Sequence, residues 1–244
     1  MFFAKKNKPG HEKDARFPAI NGLNYYDVLK GLLSAVNPEW YLEIGSRNGR
    51  SLSQSEQNYI AIDPEFDLQY DVVNNAKKMF LFQQTSDEFF SSKFLQKNDI
   101  KPGVSFIDGM HLFEFALRDF INCEAVMERD GIICLHDVCP YNIPQTTREI
   151  KYMTELKRPW TGDVWKLVVI LQRYRPDLNI DILKASSTGF ACVSNLDDKN
   201  TVLIDNYDDI LKQFTELTFE DYNPEDYYAS LALQDPSEYL RSFG

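Results

Sequence analysis

The sequence predicts an α/β protein built around a mostly parallel sheet, and three observations predict it. Short apolar runs recur from Tyr41 to Val193 with turn residues between them, segments with helical apolar spacing separate the runs, and the runs are continuously apolar instead of alternating. Continuously apolar strands belong in sheets covered on both faces, and alternation of strand with helix builds those sheets parallel. A chain of 244 residues is long enough for one such domain with a full core.

Residues 1–24 mix Lys, Pro, Gly and Asn with few apolar positions and read as a flexible extension. Tyr25, Val28, Leu29, Leu32, Leu33 and Val36 follow at helical spacing. Asn37-Pro38 ends that helix, because the residue before a proline is pushed out of helical backbone. Strands are expected at Tyr41–Ile44, Tyr59–Asp63, Met79–Gln83, Val104–Gly109 and Gly131–Asp137. A helix from Phe113 to Met127 puts Phe113, Ala116, Leu117, Phe120 and Cys123 on one face, and a second from Val164 to Arg173 carries Leu167, Val168, Ile170 and Leu171. Ile180–Leu183 and Phe190–Val193, joined by Ser186-Ser187-Thr188-Gly189, read as a closing antiparallel pair. The main domain is therefore expected at 25–195. Residues 196–244 hold twelve Asp and Glu against three Lys and Arg. They are expected to form a solvated acidic helix and a tail packed on the surface of the same domain.

Composition narrows the function. At 43% hydrophobic and 14% aromatic the chain is that of a globular protein, and no apolar run is long enough to cross a bilayer. The start, Met1 to Lys6, lacks the apolar core and cleavage site of a secretory signal, so the expected location is cytoplasmic. A formal charge of −11 disfavours nucleic acid, whose phosphates are held mainly by Lys and Arg. Cys123, Cys134, Cys139 and Cys192 show neither zinc-site spacing nor disulfide density, and read as buried thiols. The extended start and the acidic tail are the segments available for a homodimer contact.

Chemistry should concentrate where strands end, since open α/β sheets bind ligands beyond the carboxyl ends of their strands. The polar residues there are Glu43, Asp63, Thr85, Asp108, His136 and Asp137. Glu43-Ile44-Gly45-Ser46-Arg47-Asn48-Gly49-Arg50-Ser51 reads as a strand end, a glycine turn and the entry to a helix, the way a nucleotide-type ligand site is built. Gly45 would give the turn its backbone freedom, and Gly49 would let a ligand approach the main chain. The plainer alternative is an ordinary strand-turn-helix. Asp63 ends the next strand at the distance where such folds bind ribose hydroxyls.

Four ordered pieces carry a resemblance: Leu42 to Gly49, Ile62-Asp63, Phe106-Ile107-Asp108-Gly109-Met110-His111, and Asp130 to Asp137. Over residues 25–195 the chain resembles the class I S-adenosylmethionine-dependent methyltransferases. Within them it looks like the small-molecule O-methyltransferases of the macrocin sugar and cephalosporin-pathway type. The resemblance implies a Rossmann-like, doubly wound sheet of seven mostly parallel strands with the last antiparallel. It implies that Glu43, Gly45 and Gly49 hold the methionine end of the cofactor, that Asp63 accepts hydrogen bonds from both ribose hydroxyls, that Thr85, Ser86 and Asp87 lie beside the adenine, and that Ser46 and Asp108 are also cofactor-binding residues. The family often has a further glycine where Arg47 stands here.

By the same resemblance, Asp108 and Asp137 would ligate a divalent metal with His136 as a third ligand, and His111 would take the proton from the substrate hydroxyl. His136 stands where metal-dependent relatives carry a carboxylate, and an imidazole suits Mn, Fe or Zn better than Mg. Two alternatives remain open: His136 is itself the base, or His136 and Asp137 only cap a strand. Trp160, Asp163, Trp165 and Lys166 follow where the family covers its substrate, and Trp165 also reads as a core anchor. The expected function is transfer of a methyl group from S-adenosylmethionine to a hydroxyl of a small polar acceptor, a sugar or glycan first. The competing expectations are a nicotinamide-dependent oxidoreductase that uses Asp63 on its ribose, and a catalytically silent cofactor-binding relative.

Overall fold

The computed structural model describes residues 14–73, 76–151, 155 and 159–243. Eight strands form one sheet: β1 (Trp40–Ile44), β2 (Asn58–Ile62), β3 (Met79–Phe82), β4 (Val104–Ile107), β5 (Ile132–His136), β6 (Asn179–Leu183), β7 (Phe190–Ser194) and β8 (Leu233–Gln234). Their order is β3-β2-β1-β4-β5-β7-β6-β8. The first five are mutually parallel, and β7 runs antiparallel between β5 and β6. The seven expected strands are all present, and the eighth comes from the acidic C-terminal segment, parallel to β6.

Register positions the site. Ile44 lies opposite both Ile62 and Ile107, and Ile107 lies opposite Leu135. The next residues, Gly45, Asp63, Asp108 and His136, therefore emerge side by side along one edge of the sheet.

Helix α1 (Tyr25–Val36) covers one face, packing Val28, Leu29, Leu32 and Leu33 on Tyr41, Tyr59, Phe106 and Cys134. Asn24 caps it, and Asn37 ends it with left-handed backbone at φ 46°. On the other face lie α2 (Ser86–Ser91), α3 (Phe94–Lys97), α4 (Phe113–Glu124) and α5 (Trp165–Tyr174). The face expected for α4 is buried throughout, although the helix stops at Glu124, where the N–H groups of Val126 and Met127 turn back to the Cys123 carbonyl. All four cysteines are buried and unpaired.

Three expectations need correction. No α-helix follows the glycine turn, only a 3-10 turn at Leu52–Gln54. Serine hydroxyls divert the backbone there: Ser53 Oγ donates to the Arg50 carbonyl, and Ser55 Oγ accepts from the Gln57 N–H. The N-terminal segment is anchored to the domain at two residues. Phe17 and Ile20 are buried, and the Phe17 ring lies 5.6 Å from Phe219 and 6.0 Å from Tyr228. Residues 1–13, including His11, lie outside the described residues.

The acidic segment, finally, is more than a surface tail. Leu203, Ile210, Phe214, Phe219 and Tyr227 enter the core, each worth roughly 1.5–3 kcal/mol of buried apolar surface. The Tyr227 and Tyr228 hydroxyls donate to the carbonyls of Val138 and Pro140, fixing the loop that leaves β5. Acidic residues on the outer faces of short helices disguise an aromatic inner face. No helix among the described residues is long and apolar enough to cross a membrane.

Candidate active site

A cleft of about 710 Å³ runs along the carboxyl edge of the sheet, a size that suits a cofactor-scale ligand. Its walls include Gly45, Ser46, Arg47 and Asp63 near the middle, Thr85, Ser86, Asp87 and Asp119 toward β3, and Asp108, His111, His136 and Asp137 toward β5. The cleft brings together most of the residues singled out from the sequence.

The turn after β1 is shaped by contact with β4. Gly45 has φ 92°, and a Cβ there would sit 2.1 Å from the Asp108 carbonyl oxygen, so only glycine fits. Arg47 occupies the position where the family often carries glycine, and it has positive φ, 29°. Asp63 stabilises this turn: its carboxylate accepts from the Arg47 N–H at 2.8 Å and from the Glu65 N–H at 2.8 Å.

Two residues expected at the cofactor lie elsewhere. Glu43 is fully buried below the turn and is not among the cleft residues; its carboxylate accepts from the Tyr41 hydroxyl at 2.5 Å and the Ser51 hydroxyl at 2.6 Å. Burial pushes its carboxyl up to about 7 against those hydrogen bonds. Gly49 faces Val72, whose Cγ1 would lie 2.4 Å from an added Cβ, so this glycine admits the 66–72 segment and not a ligand.

At the other end, four titratable side chains interlock. His136 Nδ1 lies 3.1 Å from Asp108 Oδ1 and 3.6 Å from Asp137 Oδ1. His111 Nδ1 lies 3.3 Å from Asp137 Oδ2, and its Nε2 lies 3.5 Å from Asp108 Oδ1. The Trp160 carbonyl oxygen is 2.7 Å from His111 Nδ1. A carbonyl only accepts, so Nδ1 carries the hydrogen and Nε2 is left toward Asp108. Burial lowers the His111 imidazole, but the Asp137 and Asp108 carboxylates outweigh it and push it up to about 9. Burial works the opposite way on Asp108, and the two imidazoles outweigh it to hold that carboxyl well below its usual range. His136 is also raised, its burial overcome by the charges of Asp137 and Asp108. Asp137 carries its carboxylate on left-handed backbone, φ 60°, a conformation that non-glycine residues seldom take.

Oxygen and nitrogen atoms of Asp108, His111 and Asp137 lie within 4.8 Å of one another, a spacing that could hold a cation. His136 is outside that set. Its Nε2 is 3.2 Å from Thr188 Oγ1, and its ring is stacked at 3.9 Å on Tyr25. These contacts hold the imidazole beside Asp108.

The segment after the centre divides by role. Trp160 lines the cleft, with its rings 5.2 Å from His111 and its indole N–H donating to the Thr147 carbonyl. Gly162 follows where an added Cβ would sit 1.7 Å from the His111 carbonyl oxygen. Asp163 is buried: it accepts from the Phe113 N–H at 2.8 Å and pairs with Lys166 and Arg148, tying down the start of α4. Asp163 and Lys166 are thus structural, and Trp165 is a core residue among Phe219, Tyr222 and Tyr227. Sequence reasoning missed Tyr25, Tyr26, Asp119 and Thr188. Asp119 had a usable signal, a carboxylate flanking the apolar face of α4; Thr188 is brought to His136 only by the β6–β7 turn.

The strand order, the antiparallel β7 and a cleft at the strand carboxyl ends define a Rossmann-like methyltransferase fold. No protein-family model matches the chain, and no curated protein matches it in sequence. Among solved structures it is similar to an O-methyltransferase of tomaymycin synthesis from Streptomyces achromogenes in complex with S-adenosylmethionine. That match is 12% identical, covers 70% of this chain and 78% of that one, and has a TM-score of 0.50. An O-methyltransferase from Bacillus cereus in complex with S-adenosylhomocysteine is 11% identical over 76% of this chain and 83% of that one, with a TM-score of 0.49. The first likeness supports the fold.

Proposed function

We propose that the chain is an O-methyltransferase that uses S-adenosylmethionine and acts on a hydroxyl of a small polar acceptor. The observation that carries this reading is the continuity of the cleft, from the Asp63 carboxylate to the Asp108, His111, His136 and Asp137 cluster. The cofactor would supply an activated methyl on a sulfonium. The protein's task is then to align an oxygen and manage its proton.

The Gly45-Ser46-Arg47 turn and Asp63 would bind the cofactor's methionine and ribose parts, with Glu43 holding the turn from below. His111 Nε2 would accept the acceptor's proton from the neutral form of the ring, with Nδ1–H fixed by the Trp160 carbonyl. Because Asp137 and Asp108 hold the imidazole as a cation up to about pH 9, turnover by this route should rise with pH toward that value. Asp108, His111 and Asp137 are alternatively the residues that would hold a divalent cation, which would lower the hydroxyl's pKa by coordination. His136 positions Asp108. Trp160 would offer a ring face to the acceptor, a sugar or glycan in the first instance, as the sequence resemblance to macrocin-type and cephalosporin-pathway enzymes implies. The nicotinamide alternative is disfavoured by β7: the dinucleotide fold continues in parallel beyond its fifth strand, whereas here an antiparallel strand pairs with β5.

Calorimetric titration with S-adenosylhomocysteine tests the first step. Binding is expected, and no heat of binding with folded protein overturns the reading. A methyl-transfer screen over sugars, nucleotide sugars and phenols, with and without a chelator, then assigns the acceptor and the cation.

A further inference from the structure

Toward β3 the cleft has an unusual wall. Asp119, on α4, is only 3% exposed and still lines the cleft. One turn earlier on the same helix, Phe115 lines it too and is 36% exposed; Met110, 38% exposed, stands on the loop before the helix. Large apolar side chains at the surface beside a buried carboxyl make a slot for a flat heterocycle with a hydrogen-bond donor on its edge. Asp87, the acidic residue expected beside the adenine, is otherwise engaged. Its carboxylate receives two hydrogen bonds from Arg118, at 3.0 and 2.8 Å, and Arg118 is held in turn by the Tyr207 hydroxyl.

We propose that Asp119 reads the amino edge of the cofactor's adenine, accepting a hydrogen bond from its six-amino group, while Phe115 and Met110 cover the ring faces. The inference rests on the methyltransferase reading above and assigns its purine specificity to α4 instead of to the loop after β3. Burial pushes the Asp119 carboxyl up to about 7, against the lowering effect of the neighbouring Ser86 hydroxyl. A buried acceptor gains most from a matching donor and loses most when it faces another acceptor. Above about pH 7, where the carboxyl is ionised, the slot should therefore reject a six-oxo purine, whose carbonyl would oppose the carboxylate, and titrations are run in that range.

The test is calorimetric titration of the full chain with S-adenosylhomocysteine and S-inosylhomocysteine, on wild type, Asp119→Asn, Asp119→Leu and Asp87→Ala. Wild type should prefer the adenosyl ligand by about tenfold or more. Asp119→Leu should lose most of that preference by weakening the adenosyl ligand alone. Asp119→Asn matches the carboxyl in shape and can turn its amide to offer a donor, so it should bind the inosyl ligand better than wild type does. That arm decides the matter if the Leu variant does not fold. Adenosyl binding with the preference unchanged in Asp119→Asn, or lost only in Asp87→Ala, overturns the inference and leaves the methyltransferase reading standing. Absence of adenosyl binding to wild type removes both.

Discussion

The two ends of the cleft hold their carboxylates by different means. At the turn, Asp63 is met by the main-chain N–H groups of Arg47 and Glu65. At the centre, Asp108 and Asp137 are met by the imidazoles of His111 and His136. Main-chain donors neither titrate nor rotate away, so the turn end is organised before any ligand arrives. Imidazoles can give up a proton or accept a cation as neighbour, so the centre can change state during a reaction. A binding end that is fixed and a chemical end that is adjustable suit a site where one ligand is always the same and the other must be activated.

The largest expected effect breaks the adjustable end alone. His111→Ala should lower turnover by about a hundredfold or more, the usual scale for a lost general base. S-adenosylhomocysteine affinity should stay within about twofold by calorimetry, since additivity is expected for separated contacts. Equal losses of binding and turnover would mean that the two ends are not separable. Thorough chelation distinguishes the two chemical routes: activity that disappears with the metal and returns on its replacement assigns Asp108, His111 and Asp137 to a cation.

The fixed end has one titrating member beneath it. Glu43 has an ordinary value of 4.5 and is pushed up to about 7 in the folded protein by burial. The folded state then holds its proton more tightly than the unfolded one. The associated stability is fully present below pH 4.5 and is lost as pH rises through about 7. Its full size is about 3 kcal/mol. Denaturant titrations of Glu43→Gln should show a flatter stability profile across that window than wild type. Parallel profiles for the two proteins would show that Glu43 ionises normally inside the fold.

Asp63→Ala should cost about 2 kcal/mol of stability, because two main-chain N–H groups lose a charged acceptor. It should also weaken S-adenosylhomocysteine by about tenfold or more, through the lost ribose contact. A variant that is less stable but binds normally would confine Asp63 to building the turn.

Much of this division was legible in the sequence, for reasons that differ by residue. Asp63, Asp108 and His136 follow apolar runs directly, and parallel register aligns the ends of those runs, so strand patterning alone brings them together. The helix α1 was readable from spacing plus Asn37-Pro38. The turn's missing helix was not, because serines that would sit on a helix surface instead bond to their neighbours. Glu43 was misplaced because a strand's last-but-one residue alternates to the opposite face, which here is buried. The aromatic underside of 196–244 was hidden by its charge, and the Asp87–Arg118 pair joins residues far apart in sequence. Such pairings depend on tertiary packing and leave no local pattern.

The smallest expected effect concerns how the adjustable end is kept in order. Thr188 Oγ1 stands 3.2 Å from His136 Nε2, while the Thr188 carbonyl accepts from the Cys139 N–H. Thr188→Val keeps the shape and the main-chain bond and removes only the hydroxyl, so about 1 kcal/mol of stability should be lost. The kinetic consequence separates two accounts of the centre. If the hydroxyl sets which His136 nitrogen bears the proton, its loss frees the ring to turn away from Asp108, and turnover should fall severalfold with a displaced pH profile and unchanged cofactor affinity. If stacking on Tyr25 and the ion pair to Asp108 already fix the ring, stability falls by the same amount but the pH profile stays where it was. Measuring both quantities on one variant therefore tells whether the imidazole is oriented by its hydroxyl neighbour or by charge and packing alone.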